Sequence, residues 1–364
     1  MKKRILEIGN WPPPVCGWSM SLVGLRKELE TRGWDCQVMN LNENRKVRSL
    51  DYIDVQDAWD YLSKIIRYVS RGYAVHTRVN GEMKKGFLLA LSALLLARVW
   101  RRPVFLTYAG GHRQSYFPAP IGTFRYLAFW ILLRIPQRIY CNSEAVKAVL
   151  LTTGIPFEKV ESIPHFSAYY VDYKQVPEPP EVKEFFKKHD HVFFSYVCFR
   201  KEFSLEFLAE VIRRFSSLHP RIGFLLVGVP DREMDAMREF LRNQNIEAYV
   251  CLQPSVPHDV FLTLLSRSLA YIRTPMTDGI CSSVLEALKL RIPVLASDNG
   301  TRPPGVAVWK DGRLDSLLSL MRQVSSNRAE MIASLPEIEL EDNAKKLAES
   351  IERVCLNVSG RYYL

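Results

Sequence analysis

Strand-like and helix-like stretches alternate along this chain from end to end, and that order limits it to parallel sheets covered by helices on both faces. Arg4 to Ile8 reads as a short apolar strand, followed by the loop Pro12-Pro13-Pro14 and Gly17. From Met20 to Arg32, apolar residues at Leu22, Leu25 and Leu29 keep helical spacing, and Gly33 stops the helix. Cys36 to Leu41 is the next strand. The grammar recurs at Ala74 to His76, in a helix from Gly86 to Trp100, and at Pro103 to Thr107. It recurs again at Arg138 to Cys141, in a helix from Ser143 to Thr152, and at Val160 to Ile163.

Near residue 170 the texture changes. Val176-Pro177-Glu178-Pro179-Pro180-Glu181 is polar and proline-rich, which reads as a linker. Beyond it strands are expected at His191 to Val197, Ile222 to Val227, Ala248 to Leu252, Leu269 to Arg273 and Pro293 to Ala296. Helices are expected at Leu205 to Leu218, Glu233 to Asn243, His258 to Leu265 and Ser282 to Leu290. A chain of 364 residues is long for one core, so the pattern predicts two α/β, Rossmann-like domains facing each other across a cleft. Their expected limits are 1–170 and 171–340, with 341–364 a terminal amphipathic helix packing back on the first domain.

Charge is divided unequally. Residues 1–170 hold 24 Lys and Arg against 13 Asp and Glu, a surplus of 11. Residues 171–364 hold 25 against 26, close to neutral. A basic first half calls for an anionic partner: a membrane surface, a phosphorylated lipid or nucleic acid. A generally basic solvated surface is the plainer alternative. Nucleic acid is not expected, because no binding motif is present and the aromatics are not interleaved with the basic residues.

Two apolar stretches bear on membranes. Gly86 to Trp100 is shorter than the roughly twenty residues a spanning helix needs, and reads as a helix buried on a sheet. Thr123 to Arg134 is aromatic-rich and bounded by Arg125 and Arg134; it reads as a core helix, with an interfacial helix the alternative. At the N-terminus Glu7 interrupts the apolar run and prolines follow, so no signal peptide is expected. Seven scattered cysteines with no C-x-x-C pair argue against a disulfide framework and a zinc site. These features predict a cytoplasmic chain, peripheral on the inner face of the membrane if it docks there, with no metal and no cofactor.

The segment after Arg273 carries the clearest chemistry. Thr274-Pro275-Met276-Thr277-Asp278-Gly279-Ile280-Cys281-Ser282-Ser283 leads from a strand end into the helix that holds Glu286. In parallel sheets ligands collect at such junctions, where free amides and the helix dipole face an anion. Gly279 lets the backbone approach closely, and Ser282 and Ser283 offer hydroxyl caps. Asp278 and Glu286 bracket the junction, so two carboxylates are available to sugar-like hydroxyls. An ordinary capped helix fits the same residues.

This segment resembles the E-x7-E region of retaining glycosyltransferases of family 4, which have the GT-B fold. The likeness runs on through Val284-Leu285-Glu286-Ala287-Leu288 and Ile292-Pro293-Val294-Leu295-Ala296-Ser297-Asp298. Ile5 to Ile8 with Gly17, Leu25 to Gly33, Pro103 to Tyr108, Cys141 to Glu144, Val160 to His165 and Leu225 to Gly228 resemble further family segments in the same order. The resemblance implies transfer of a hexosyl-type sugar from a UDP-, GDP- or ADP-sugar to a glycan or lipid-linked acceptor, with retention, as in polysaccharide biosynthesis. It implies that Asp278 meets the donor sugar and Glu286 the ribose. The backbone of Gly279, Ile280, Cys281, Ser282 and Ser283 would cradle sugar and diphosphate. Arg200 and Lys201 would neutralise the leaving group, and Gly17 would bring the first domain's backbone close to it.

The chain departs from the family pattern at four points. The first acid is Asp278 rather than Glu, and the N-terminal Gly-Gly is Cys16-Gly17. Arg200 and Lys201 are adjacent where the family separates its basic pair. Ala109 stands where the family often has a histidine, and His112, after Gly110-Gly111, is the nearest replacement, a surface histidine being the other reading. His165 stands where an Asn is usual and is assigned no role beyond a cleft neighbour. Two other readings stay open: a GT-B nucleotide-sugar epimerase, and a non-catalytic nucleotide-sugar-binding subunit.

Overall fold

The structure, a computed structural model, describes residues 3–13, 17–80, 84–110, 121–166, 168–276, 281–300, 302–310 and 313–361. Two compact units divide the chain: Met1–Tyr169 with Leu340–Leu364, and Tyr170–Glu339.

The first unit is built on β1 (Arg4–Gly9), β2 (Asp35–Asn40), β3 (Ala74–Val79), β4 (Val104–Tyr108), β5 (Arg138–Cys141) and β6 (Val160–Ser162). All pair in parallel, in the order β2-β1-β3-β4-β5-β6. The connecting helices are α1 (Gly17–Thr31), α2 (Ala58–Ser70), α3 (Lys84–Val99), α4 (Phe124–Arg134) and α5 (Glu144–Leu151). The strands are buried on both faces, which explains why they read as continuous apolar runs rather than alternating ones. One face packs Leu6, Ile8, Val75 and Leu106 against α2, α3 and α4.

In the second unit the strands are β7 (His191–Tyr196), β8 (Ile222–Val229), β9 (Val250–Pro254), β10 (Ala270–Arg273), β11 (Val294–Ser297) and β12 (Val306–Trp309). Their order, β12-β11-β10-β7-β8-β9, is again parallel throughout. The chain runs outward from β7 through β9, then returns to the other side of β7 as β10. That reversal is the doubly wound Rossmann order, and its crevice lies at the carboxyl ends of β7 and β10. The helices are α6 (Pro180–Lys188), α7 (Leu205–Leu218), α8 (Met234–Asn243), α9 (His258–Arg267), α10 (Ser282–Lys289) and α11 (Leu314–Ser334).

The last helix, α12 (Asn343–Arg361), belongs to the first unit. Leu347, Ala348, Ile351, Val354 and Cys355 share a core with Ile5, Leu25, Leu29 and Phe105. Arg32 pairs with Glu349 at 2.9 Å and Lys3 with Glu352 at 2.6 Å, and Tyr140 donates to Ser350 at 3.2 Å.

Several elements go beyond the sequence expectations. α2 is opened by the Asp57 side chain, which accepts from the amides of Trp59 and Asp60, and it buries Tyr61, Ile65 and Val69 at a four-residue spacing. The presumed linker Val176–Glu181 ends in a helix, because Pro180 occupies the first helical position of α6, where its missing N–H costs nothing. α11 and β12 were not anticipated. The two membrane candidates, α3 and α4, both lie on the first sheet, each with one face buried and one face in solvent.

Candidate functional site

The crevice of the second sheet is assembled from three loop-and-helix junctions. β7 leads into the turn that carries Arg200 and Lys201, both exposed to solvent. Ser204 holds a left-handed backbone (φ 48°, ψ 51°) that redirects the chain into α7. The carbonyl of Phe203 accepts from Thr274 Oγ1 at 2.6 Å, just past the end of β10. The Arg273 guanidinium lies 5.1 Å from the Phe203 ring and 5.9 Å from the Tyr196 ring. The basic turn is thereby fastened to the segment that leads towards Asp278.

That segment is braced from a third side. Arg302 donates to the Pro275 carbonyl at 2.6 Å and to the Ser297 carbonyl at 2.9 Å, and Ser297 Oγ donates to the same Pro275 carbonyl at 2.8 Å. Thr277, Asp278, Gly279 and Ile280 lie outside the described residues, as does His112. Their assignments from sequence therefore carry no geometry here.

The described part of the junction resumes at Cys281, and here one expectation is corrected. Neither Ser282 nor Ser283 caps α10. The N-cap residue is Cys281, and among the described residues no side chain caps the helix. Ser283 Oγ is instead 2.7 Å from the Tyr271 hydroxyl on β10 and 3.2 Å from Cys281 Sγ. Being one residue into the helix, it points back onto the sheet and pins α10 to β10. The first-turn end of α10 thus keeps the positive end of its dipole without a serine oxygen over it.

Glu286 follows on the second turn of α10 and is buried. Its Oε1 lies 3.0 Å from Nε2 of His258, the first residue of α9. The His258 ring lies parallel to that of Phe261, with a 10° interplanar angle and centroids 6.5 Å apart. A buried carboxylate needs such a donor, because leaving it unpaired is costly. Sequence reading missed His258: it stands 28 positions from Glu286, and only the packing of α9 against α10 joins them.

Gly228, at the end of β8, is held at φ +111°, and a Cβ there would sit 2.2 Å from the Tyr196 ring. Glycine is therefore required by both backbone and space, and Tyr196 lies against the crevice wall as a result. Ser255 Oγ donates to the Gly228 carbonyl at 3.2 Å, tying the segment after β9 to the same wall.

In the first unit, Gly17 is the first residue of α1. Below that turn lies a buried polar chain absent from the sequence expectations. Glu7 Oε1 is 3.0 Å from His76 Nδ1, and His76 Nε2 is 2.7 Å from Thr107 Oγ1. Arg78 Nη2 lies 3.6 Å from Glu7 Oε2, and its Nη1 donates to Ser21 Oγ at 2.8 Å and more weakly to the Trp18 carbonyl at 3.4 Å. Glu7 and His76 lie mid-strand on β1 and β3, the two strands that flank the point where that sheet reverses its order, and Thr107 lies on the neighbouring β4. His165 is held well below its ordinary pKa, at about 3, first by burial and then by the charges of Arg78 and His76. It is a neutral imidazole at physiological pH.

Among the described residues no group of three or more His, Cys, Asp or Glu has metal-holding geometry, and no helix is long and apolar enough to cross a bilayer.

Two parallel doubly wound sheets define a GT-B fold. Within that class, residues 180–314 match the family described as Glycosyl transferases group 1. The whole chain is similar in structure to HepE of Anabaena in complex with UDP-glucose, with a TM-score of 0.65 at 11% identity over 99% of each chain. It is similar to a glycosyltransferase from Rickettsia africae (TM-score 0.63, 14% identity, 98% of this chain and 94% of that one). It is also similar to the UDP-GlcNAc 2-epimerase from Methanocaldococcus jannaschii (TM-score 0.60, 15% identity, 97% and 99%). At such identities the likeness speaks for the fold. No curated protein matches the sequence.

Proposed function

We propose that the chain is a metal-independent, retaining glycosyltransferase of the family-4 type. It moves a hexosyl-type sugar from a UDP-, GDP- or ADP-linked donor to a glycan or lipid-linked acceptor. The observation that carries this reading is the junction at β7 and β10. A basic turn, a helix N-terminus that no side chain caps among the described residues, and a buried carboxylate beside His258 border one crevice.

Each part has a task in that reading. The amides at the start of α10 accept the donor diphosphate, as helix N-termini do for anions. Glu286 accepts hydrogen bonds from the ribose hydroxyls, and its orientation is set by His258. Arg200 and Lys201 offset charge that grows on the departing diphosphate, an electrostatic term that can supply much of the rate. Asp278 addresses the sugar hydroxyls, and the acceptor attacks from the face the leaving group vacates. The basic first unit receives the acceptor, and the roles of Gly17 and His112 are those that the family resemblance implies.

Glu286→Ala is the direct test. Calorimetric titration with UDP-, GDP- and ADP-sugars is expected to show no donor binding by a variant that melts as a folded protein. Unchanged affinity in that variant would sink the donor reading.

A second reading is favoured by the fold likeness to UDP-GlcNAc 2-epimerases. Incubation of the protein with donor alone separates the two. Inversion at the sugar C2 without any acceptor supports an epimerase. Dependence of turnover on an added acceptor supports transfer, and tight binding without either marks a non-catalytic subunit.

A further inference from the structure

α3 and α4 lie side by side on one face of the first sheet. Ala90, Ala93, Leu94 and Ala97 of α3 and Phe129, Leu132 and Leu133 of α4 enter the same core, and the Phe87 and Phe129 rings meet at 5.3 Å. The opposite, solvent side of a helix in this position is ordinarily polar. Here it is not. Leu88, Leu95 and Val99 line the outer side of α3, and Phe124, Leu127 and Ile131 line that of α4. Their spacings of three, four and seven residues put each set on one helical face. Phe124 is 83% exposed and Val99 74%. Single exposed apolar residues mean little, but two adjoining stripes make a patch of the kind that marks an interaction surface.

The charges that frame the patch have one sign. Neither helix contains an Asp or Glu, whereas α3 carries Lys84, Lys85 and Arg98, and α4 carries Arg125 and Arg134. Arg134 lies over the Trp130 ring at 4.1 Å. The ends of the helices converge on Lys159, whose ammonium donates to the Arg134 carbonyl at 2.6 Å. Burial first, and then the charges of Arg134 and Arg98, push Lys159 down to about 8.

We propose that the α3–α4 face docks on an anionic lipid bilayer, burying Phe124, Leu127, Ile131 and the α3 leucines shallowly among the acyl chains. Arg98, Arg125 and Arg134 meet the headgroup phosphates. The pattern of apolar side chains ringed by cations is that of a monotopic interfacial surface, and it uses the charge excess of the first half of the chain. A second copy of this chain is a poor occupant, since a symmetric contact would set like charges against each other. The inference stands apart from the donor reading, because donor binding occupies the second unit's crevice.

Co-sedimentation of the full chain with vesicles tests it. Binding is expected to phosphatidylcholine vesicles that contain about a third phosphatidylglycerol, to be weak to phosphatidylcholine alone, and to fall with salt. Phe124→Ser combined with Leu127→Ser should weaken binding at least about tenfold, since two apolar side chains no longer enter the membrane. Arg98→Glu with Arg125→Glu should remove the preference for anionic lipid. Melting temperature and donor affinity without vesicles should stay at the wild-type values in both variants, because all four residues are exposed and lie outside the crevice. Absence of vesicle binding by the wild-type chain, or equal binding by the apolar variant, overturns the proposal. So does a concentration-dependent dimer that the same substitutions abolish, which would assign the patch to a second copy.

Discussion

His258 Nε2 lies 3.0 Å from Glu286 Oε1, so the first residue of α9 holds one oxygen of the carboxylate on α10. Neither residue is useful to the other in the unfolded chain; their pairing is a product of how α9 and α10 pack beside β10. If the pair works as a unit, His258→Ala weakens donor binding less than Glu286→Ala does, by roughly tenfold, on the order of one charged hydrogen bond. Calorimetric titration of His258→Ala with the donor checks this, and wild-type affinity in that variant would argue that His258 only packs.

The exposed pair in the β7 turn makes a different demand. Arg200→Ala and Lys201→Ala should each leave stability within about 0.5 kcal/mol of wild type, as surface changes usually do. Whichever cation reaches the leaving group should lower kcat by about 10²-fold or more, with little change in KM. Steady-state kinetics on the two single variants identifies it.

Gly228→Ala is expected to destabilise the second unit by about 2 kcal/mol or more. It adds a Cβ against the Tyr196 ring and forces a side chain into positive φ. Denaturant unfolding measures the loss. Gly300→Ala serves as a comparison, since it has positive φ but no atom within 4 Å of its added Cβ. The smaller loss should fall there.

In the first unit, Glu7→Leu removes the acid from a fully buried set of partners. His76 and Arg78 then keep their burial without it, and the expected loss is about 3–5 kcal/mol. Because Arg78 also holds Ser21 in α1, hydrogen exchange at the amides of α1 should rise more than at those of α5.

His165 supplies a pH dependence whose sign is fixed. Its folded value of about 3 lies below the ordinary value of 6.5, so between those limits the unfolded chain binds the extra proton. Stability contributed by the neutral imidazole is therefore present above the unfolded value and is lost as pH falls from about 6.5 towards 3. The slope is at most about 1.4 kcal/mol per pH unit for this one proton. Urea unfolding at pH 7 and pH 5 should show a smaller loss for His165→Asn than for the wild-type chain; equal losses would rule out His165 as the source.

Much of the architecture follows from the sequence, because strand and helix periods are local. Apolar runs such as Phe224 to Val227 and the Leu22-Leu25-Leu29 spacing announce their elements without reference to distant residues; the Asp57 cap and four-residue apolar spacing of α2 are signals of the same local kind, which the sequence expectations do not include. Proline misled where one residue type serves two purposes: Pro180 reads as a linker residue and acts as a helix start. The junction after β10, a strand end running into a helix, was legible because strand and helix periods are local, whereas the serine caps expected there were not formed. Three things were decided only in three dimensions. Strand order placed the Arg200 turn beside Thr274, the packing of α9 on α10 gave Glu286 its histidine, and the pairing of β1, β3 and β4 buried Glu7, His76 and Thr107 together. Each depends on contacts between residues far apart in the chain, and a local pattern holds no record of which distant strand or helix becomes its neighbour.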